Sequence, residues 1–296
     1  MLTAFQNVSN SDSRLTSYKR KHGSFNYLNI LISKNLQIGF FEGIIWQTSD
    51  STYNDRFSAD YFNPVIYERL SRYSLNNKNN ILAGLNVKLK ICNPLQLYGQ
   101  FVIDDIDLKK ISGGKGYFDN KYGFQAGLKY FDLFTIKNLY FQAEYNRVQP
   151  YTYSHNIPMQ NYSNFNEPLA HPLGANFKEL IVFLDYKYKD FFIDLKCNYQ
   201  ITGKDTNNLS CGSDIFISDK YSYNGNHSYG NITGQGLNTE IIYSSVILGY
   251  LLNPATNLQL YIGMNYRLYK TKINQSESNF IFCGIRTSLD NFYFDF

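Results

Sequence analysis

Residues 258–270 read LQLYIGMNYRLYK, where Leu258, Leu260, Ile262, Met264, Tyr266 and Leu268 alternate with Gln259, Tyr261, Gly263, Asn265, Arg267 and Tyr269. A strict period of two excludes a helix and predicts a strand with one apolar and one mixed face. Segment 191–201 repeats the pattern, with Phe191, Ile193, Leu195, Cys197 and Tyr199 set against Asp194, Lys196, Asn198 and Gln200. Strand-like segments recur at 24–32, 36–46, 81–91, 95–106, 121–131, 139–147, 177–188, 191–201, 239–251, 258–270 and 279–290. Each is about as long as a tilted barrel strand that crosses a bilayer.

The connections carry a second signal. Short ones at 33–35, 93–94, 132–138, 189–190 and 253–257 alternate with long ones at 47–80, 107–120, 148–176 and 202–238, and the last is intermediate. Outer-membrane barrels have short periplasmic turns and long external loops, whereas a soluble β-sandwich has no reason to sort its loops by end. The reading is an all-β, antiparallel, up-and-down transmembrane barrel. About eleven strands place the two termini on opposite faces, although single-chain bacterial barrels have even counts. The expectation is therefore a C-terminal part of a larger barrel, with 1–23 an external-loop remnant and 24–296 the barrel portion. The opening MLTAFQNVSNSDSRL has neither the basic nor the apolar region of a secretory signal. That fits a full-length protein whose export signal lies elsewhere, delivering it to the outer membrane with lipid as its first partner.

Composition excludes other classes. No run approaches the ~20 apolar residues of a membrane helix. Mean hydropathy of −0.35 suits a soluble globule equally well, so it separates nothing. The net charge of +4 is scattered, clustering only at Lys19, Arg20 and Lys21, which argues against a nucleic-acid partner. The four cysteines show no CxxC spacing, and Cys197 and Cys283 fall on apolar phases, as small buried or lipid-facing residues do.

No GxSxG, HExxH or Walker pattern occurs, so no enzyme activity, metal or cofactor is expected. The GGKG at 113–116 reads as a turn. Asp104, Asp105 and Asp107 match no complete calcium loop and read as an acidic rim. His155, His171 and Glu167 match no zinc spacing. Nothing sets a separation between Glu144 and either Glu167 or Glu179 for glycoside hydrolysis. Two segments depart from the strand pattern. Residues 61–74 have helix-like spacing through Val65, Ile66, Leu70 and Tyr73. Glu42 falls on the apolar phase of 36–46, which predicts a bulge turning it inward toward Arg56, Arg69 or Arg72.

The loop 148–176 is the main candidate site. Tyr151, Tyr153, Tyr162 and Phe165 offer flat apolar faces, while His155, Asn156, Gln160, Asn161, Asn164 and His171 offer neutral donors and acceptors, the mixture that glycans need. Pro150, Pro158, Pro168 and Pro172 stiffen it equally well as an inward-folded filling of the lumen. Glu42, Arg69, Glu144 and Arg147 are candidate structural residues of that lumen. Inward positions Asn86, Lys88, Lys90, Lys121, Gln125 and Lys129 suit an anion-preferring lumen and a plugged one alike.

FEGIIWQTSDSTYNDRF, YFNPVIYER, NNILAGLNVKLK, LYGQFVIDDI and above all QPYTYSH with NYSNFNEPLAHPLGANFKE resemble the Wzi-like capsule-assembly family, particularly its RemB-type gliding-motility outer-membrane proteins. NPATNLQLYIG and FCGIRTSLDNFYFDF fit the same group. The resemblance runs from about residue 15 to the end and implies a non-enzymatic outer-membrane barrel. Its implied partners are capsular or other surface polysaccharide, or gliding-machinery proteins. An outer-membrane channel for small solutes is the competing expectation.

Overall fold

The computed structural model describes residues 2–8, 18–47, 59–68, 79–105, 116–206, 210–219 and 229–287. The long strands are β1 (Leu2–Val8), β2 (Tyr18–Leu31), β3 (Leu36–Gln47), β4 (Asn80–Lys90), β5 (Leu95–Asp105), β6 (Lys121–Tyr130) and β7 (Leu139–Val148). A two-rung hairpin, β8 (Ser163–Asn164) with β9 (Glu167–Pro168), interrupts them. The series resumes with β10 (Phe177–Tyr188), β11 (Phe191–Lys204), β12 (Leu237–Asn253), β13 (Leu258–Thr271) and β14 (Gln275–Arg286). Apart from the hairpin, every strand pairs antiparallel with the next in sequence, giving one twelve-stranded sheet from β1 to β14. Among the described residues β1 and β14 do not pair with each other.

The pairings sort the side chains onto two faces. Leu184, Leu195, Val246, Met264 and Ile281 fall in one cross-strand row. On this face Leu248, Ile262, Ile281 and Ile285 are 47%, 52%, 70% and 67% exposed. An apolar band of this kind is unfavourable against water and favourable against acyl chains. The opposite face carries Lys88, Gln100, Gln125, Glu144, Glu179 and Gln200. It is the concave one, since a single segment, 149–176, bonds strands as far apart in sheet order as β2 and β10 on that side.

Residues 32–35, 91–94, 131–138, 189–190 and 254–257 join strands at the periplasmic end, and the long connections lie at the other. The tightest is a two-residue turn in which Lys189 takes a left-handed φ of 52°. Aromatic pairs cluster near these turns: Phe131 with Tyr140, Tyr130 with Phe134, and Phe191 with Tyr250. Rings at this level suit the boundary between lipid and water.

Two expectations need correction. Residues 1–23, read as an external remnant, supply β1 and the start of β2, so the sheet has twelve strands rather than eleven. LTAFQNV has little alternation, which hid the strand. The last strand starts at Gln275 rather than at 279, because pairing with β13 carries the polar Gln275 to Ser278 past the apolar band, and 288–290 lie outside the described residues. Its connection to β13 is then only three residues long, a short link at the outer end. Within 61–74, the described part is the end of a 3-10 turn at Ala59–Phe62, a turn at 66–67 and a helical residue at Glu68, and the rest of the expected helix, 69–74, lies outside the described residues.

Candidate functional site

Three adjacent rows on the concave face define the lumen. The outermost passes through Gly84, Val102, Gly123, Val148, Phe177 and Thr202 and is mainly apolar. The next is almost entirely amide: Asn86, Gln100, Gln125, Asn146, Glu179 and Gln200. A third runs through Lys88, Tyr98, Gly127, Glu144, Ile181 and Asn198. A barrel whose lipid and lumen residues alternate reads out as such rows.

The apolar row holds a plug. Leu82, Val102, Val148 and Phe177 bury themselves against Tyr153 and Ala175 of the 149–176 segment and Ile215 of the 210–219 segment. Polar bonds fix the rest. The Lys21 ammonium of β2 donates to the Asn161 carbonyl at 2.6 Å, to Asn161 Oδ1 at 2.7 Å and to Ser163 Oγ at 3.1 Å. Asn80 of β4 donates to the Gln160 carbonyl at 2.9 Å, and Asp104 of β5 accepts the Tyr153 N–H at 2.6 Å. Lys121 of β6 pairs with Asp219 at 2.6 Å. Buried backbone groups and ammoniums need such partners, which is why this loop adopts one shape.

At its C-terminal end the plug is tied by one amide. Asn176 Nδ2 donates to the carbonyls of Gly203 at 2.8 Å, Gln235 at 3.0 Å and Cys211 at 3.1 Å, and its oxygen accepts the Gly234 N–H at 2.7 Å. A side chain at Gly203 would run into the Gln235 carbonyl and the Asn176 amide, so close backbone approach requires glycine there.

Beneath the plug a hydrogen-bonded chain crosses the wall. Tyr140 donates to Gln142, Gln142 to the Tyr98 hydroxyl, and Tyr98 to Glu144 at 2.6 Å. Asn146 bridges Glu144 and Glu179 at 2.9 and 3.1 Å. Gln200 and Asn198 donate to the other oxygen of Glu179 at 2.7 and 2.9 Å. His171 Nδ1 accepts the Leu173 N–H, so its proton sits on Nε2 and is donated to Glu179 at 3.0 Å. The imidazole also stacks on Phe177, with centroids 4.4 Å apart. Glu179, 2% exposed, thus meets four donors from three elements, a well-satisfied buried carboxylate.

The candidate residues of the loop divide sharply. Tyr151 and Tyr153 are 1% and 5% exposed, with φ of 65° and 70° held by neighbouring bonds. Tyr151 donates its hydroxyl to the Ser210 carbonyl. Burial, then the Asp104 carboxylate and Tyr162, pushes the Tyr153 phenol above the usual tyrosine range, and burial does the same to Tyr162. Asn161 is fully buried, and His155 Nδ1 accepts the Ile157 N–H. Phe165, at the tip of the β8–β9 hairpin, is 62% exposed. Asp104 lies buried under Tyr153 rather than on a solvated rim, and Asp107 lies outside the described residues. Lys21, Asn176 and Tyr98 were not singled out by sequence reasoning. Among them only Lys21, within the basic cluster, carried a signal.

Of the lumen candidates, Glu144 lies in the wall network, whereas Arg147 sits on the outward phase with Tyr145 and donates to Thr233 at the rim. Glu42 corrects its expectation. β3 runs in unbroken register with β2 and β4, with no bulge, so Glu42 remains on the outward face. The 59–68 segment folds over that face instead. Tyr67 donates its N–H to Glu42 at 2.6 Å, Ser24 donates to the Tyr61 carbonyl, and Asn26 donates to the Asn63 carbonyl. Tyr61 stacks on Trp46 at 3.9 Å, burying Ile44 and Ile81 with them. Burial, then the Glu42 carboxylate, raises the Tyr67 phenol. Arg56, Arg69 and Arg72 lie outside the described residues. Cys197 and Cys283 face outward and are exposed, while Cys211 is buried near Asn176.

Strands of bilayer length, an exposed apolar band, a polar lumen and loops sorted by end define an outer-membrane β-barrel protein in contact with membrane lipid. No protein-family model matches the chain, and no curated protein matches it. Among solved structures it is similar to OmpT, an outer-membrane protein of Vibrio cholerae, at 10% identity and a TM-score of 0.38, over 98% of this chain and 82% of that one. It is also similar to OprD of Pseudomonas aeruginosa, at 10% identity and 0.38 over 96% and 74%. The outer-membrane channel DcaP of Acinetobacter baumannii is similar at 10% identity and 0.37 over 94% and 68%.

Proposed function

We propose that this chain forms a non-enzymatic outer-membrane channel for small polar solutes, its outer mouth narrowed by in-folded loops. The amide row from Asn86 to Gln200 carries this reading. A wall meant only to pack a plug is served by apolar residues, as in the row above it. A wall of amides, lysines and carboxylates below the plug stays favourable only against water or a polar solute. The carboxylates support no hydrolytic role, since Glu144 and Glu179 share the Asn146 amide and Glu179 is saturated with donors. Protein folded in detergent and fused into a planar bilayer should give discrete, long-lived conductance steps. A barrel shown to be folded that gives none sinks the channel.

A second reading has its own observation. Phe165, Leu169, Tyr229 and Ile232, 62%, 40%, 44% and 68% exposed, stand in or beside the long outer connections. With the resemblance to capsule-assembly and gliding proteins, they favour a surface role in holding polysaccharide. A glycan array probed with the intact barrel tests it. Binding that survives loss of conductance would favour adhesion over transport.

A further inference from the structure

One part of the lumen wall adjoins the hydrogen-bonded network at Tyr98. Along the amide row and the row beneath it, β3, β4, β5 and β6 line an open hollow of about 310 Å³ formed by Gln37, Asn86, Lys88, Tyr98, Gln100 and Gln125 with neighbouring backbone. Lys129 reaches to 5.6 Å from the Tyr98 ring centroid, and Lys90 shares its cross-strand row with Gln96 and Lys129. Four lysines point inward on this wall, and they are used differently. Lys121 is buried and neutralised by Asp219, with Asp119 at 3.8 Å, as part of the plug. Lys88, Lys90 and Lys129 form no ion pair among the described residues. Asp104 of β5 is buried at the outer end under Tyr153, and the other acidic groups of the lumen lie on other strands: Glu144 on β7, Glu179 and Asp185 on β10, and Asp194 on β11. Glu144 is occupied by Tyr98 and Asn146. The β4–β6 wall therefore presents positive charge beside neutral amides and a flat phenol ring.

We infer that this wall binds a small hydroxylated carboxylate, a sugar acid being the matching class. Lys88 and Lys129 supply charge for the carboxylate, and Gln37, Asn86, Gln100 and Gln125 supply paired donors and acceptors for hydroxyls. Tyr98 offers its ring to the carbon chain. Its hydroxyl is held by Glu144, and the ring lies across Gly127, where any side chain would collide with it. The cavity is of the size that small-molecule sites have. The inference rests on the lumen being a solute path, and it names the class of solute that path favours.

Gluconate and sorbitol share a carbon skeleton and differ at the carboxylate, so they serve as probes. In calorimetry on the intact barrel in detergent, gluconate should bind about tenfold or more tightly than sorbitol. The double variant K88Q/K129Q should weaken gluconate by about tenfold, while K34Q/K137Q, with the same charge loss at periplasmic turns, leaves it unchanged. Equal binding of the two probes, or equal weakening by both variants, overturns the site. Conductance is measured on the same preparations. A conducting barrel that does not prefer gluconate removes the site and leaves the channel. A silent barrel that still binds gluconate through Lys88 and Lys129 keeps the site and removes the channel.

Discussion

Two of the loops that return to the barrel wall, one on each face, each cover a carboxylate. Inside, the 149–176 segment lies on Glu179, which is 2% exposed and accepts from His171, Asn146, Asn198 and Gln200. Outside, the 59–68 segment lies on Glu42, 1% exposed and bonded to the Tyr67 N–H beneath a Tyr61–Trp46 stack. The inner loop is held mainly by polar bonds at long range, the outer by an aromatic stack plus a few bonds to β2 and β3. The difference follows from the faces. A lumen wall offers amides and lysines to a returning loop, whereas a lipid wall offers Ile, Phe and Trp. The same backbone problem, covering a strand end with a loop, is solved with whichever chemistry that face already holds.

The comparison breaks most easily at Asn176. Its amide serves four backbone groups; in Asn176→Ala the Cys211 carbonyl still accepts from Gln235, and each of the others costs roughly 1–3 kcal/mol when fully orphaned. A loss of at least about 3 kcal/mol is expected, read as a lower urea midpoint in micelles and faster proteolysis within 149–176. Trp46 is the only tryptophan and sits under the outer loop, so its native emission should not move. A shifted emission would mean that the two loops are coupled. Glu179→Gln comes next. It turns one of the two acceptor oxygens into an NH₂ that faces two of the four donors, and a cost of about 2 kcal/mol is expected. An unchanged midpoint would show that the inner loop does not depend on that cluster.

Strands, sheet order and the sorting of loops were legible because alternation and turn residues are local signals. Where alternation fails, as in LTAFQNV, the strand was missed. The direction taken by each loop was not legible. Tyr151, Asn161 and His171 suit an outward loop and a plug equally, and what decides is Lys21 meeting Asn161 across 140 positions. Glu42 shows the same limit. Its conflict with the apolar phase was visible, but its resolution depended on Tyr67 folding back rather than on any bulge in β3. Long-range partners of polar residues leave no period in a sequence.

Glu42→Gln sharpens the contrast with Glu179→Gln. An amide oxygen still accepts the Tyr67 N–H, so about 1 kcal/mol is expected, roughly half the inner effect, with Trp46 emission as the direct readout. A larger loss than at Glu179 would show that the charge itself, not just an acceptor, holds the outer loop.

The smallest effect is expected at Phe165. The ring stands at the hairpin tip, 62% exposed, and packs no part of the core beneath it. Phe165→Ala should stay within about 0.5 kcal/mol of the parent, with the urea midpoint, the 149–176 proteolysis rate and conductance all unchanged. If the outer loops hold polysaccharide, this variant should lose binding on the glycan array while the plug stays intact. A variant that keeps glycan binding places recognition away from the hairpin. One that lowers the midpoint as Asn176→Ala does would show that the tip belongs to the plug and not to the surface.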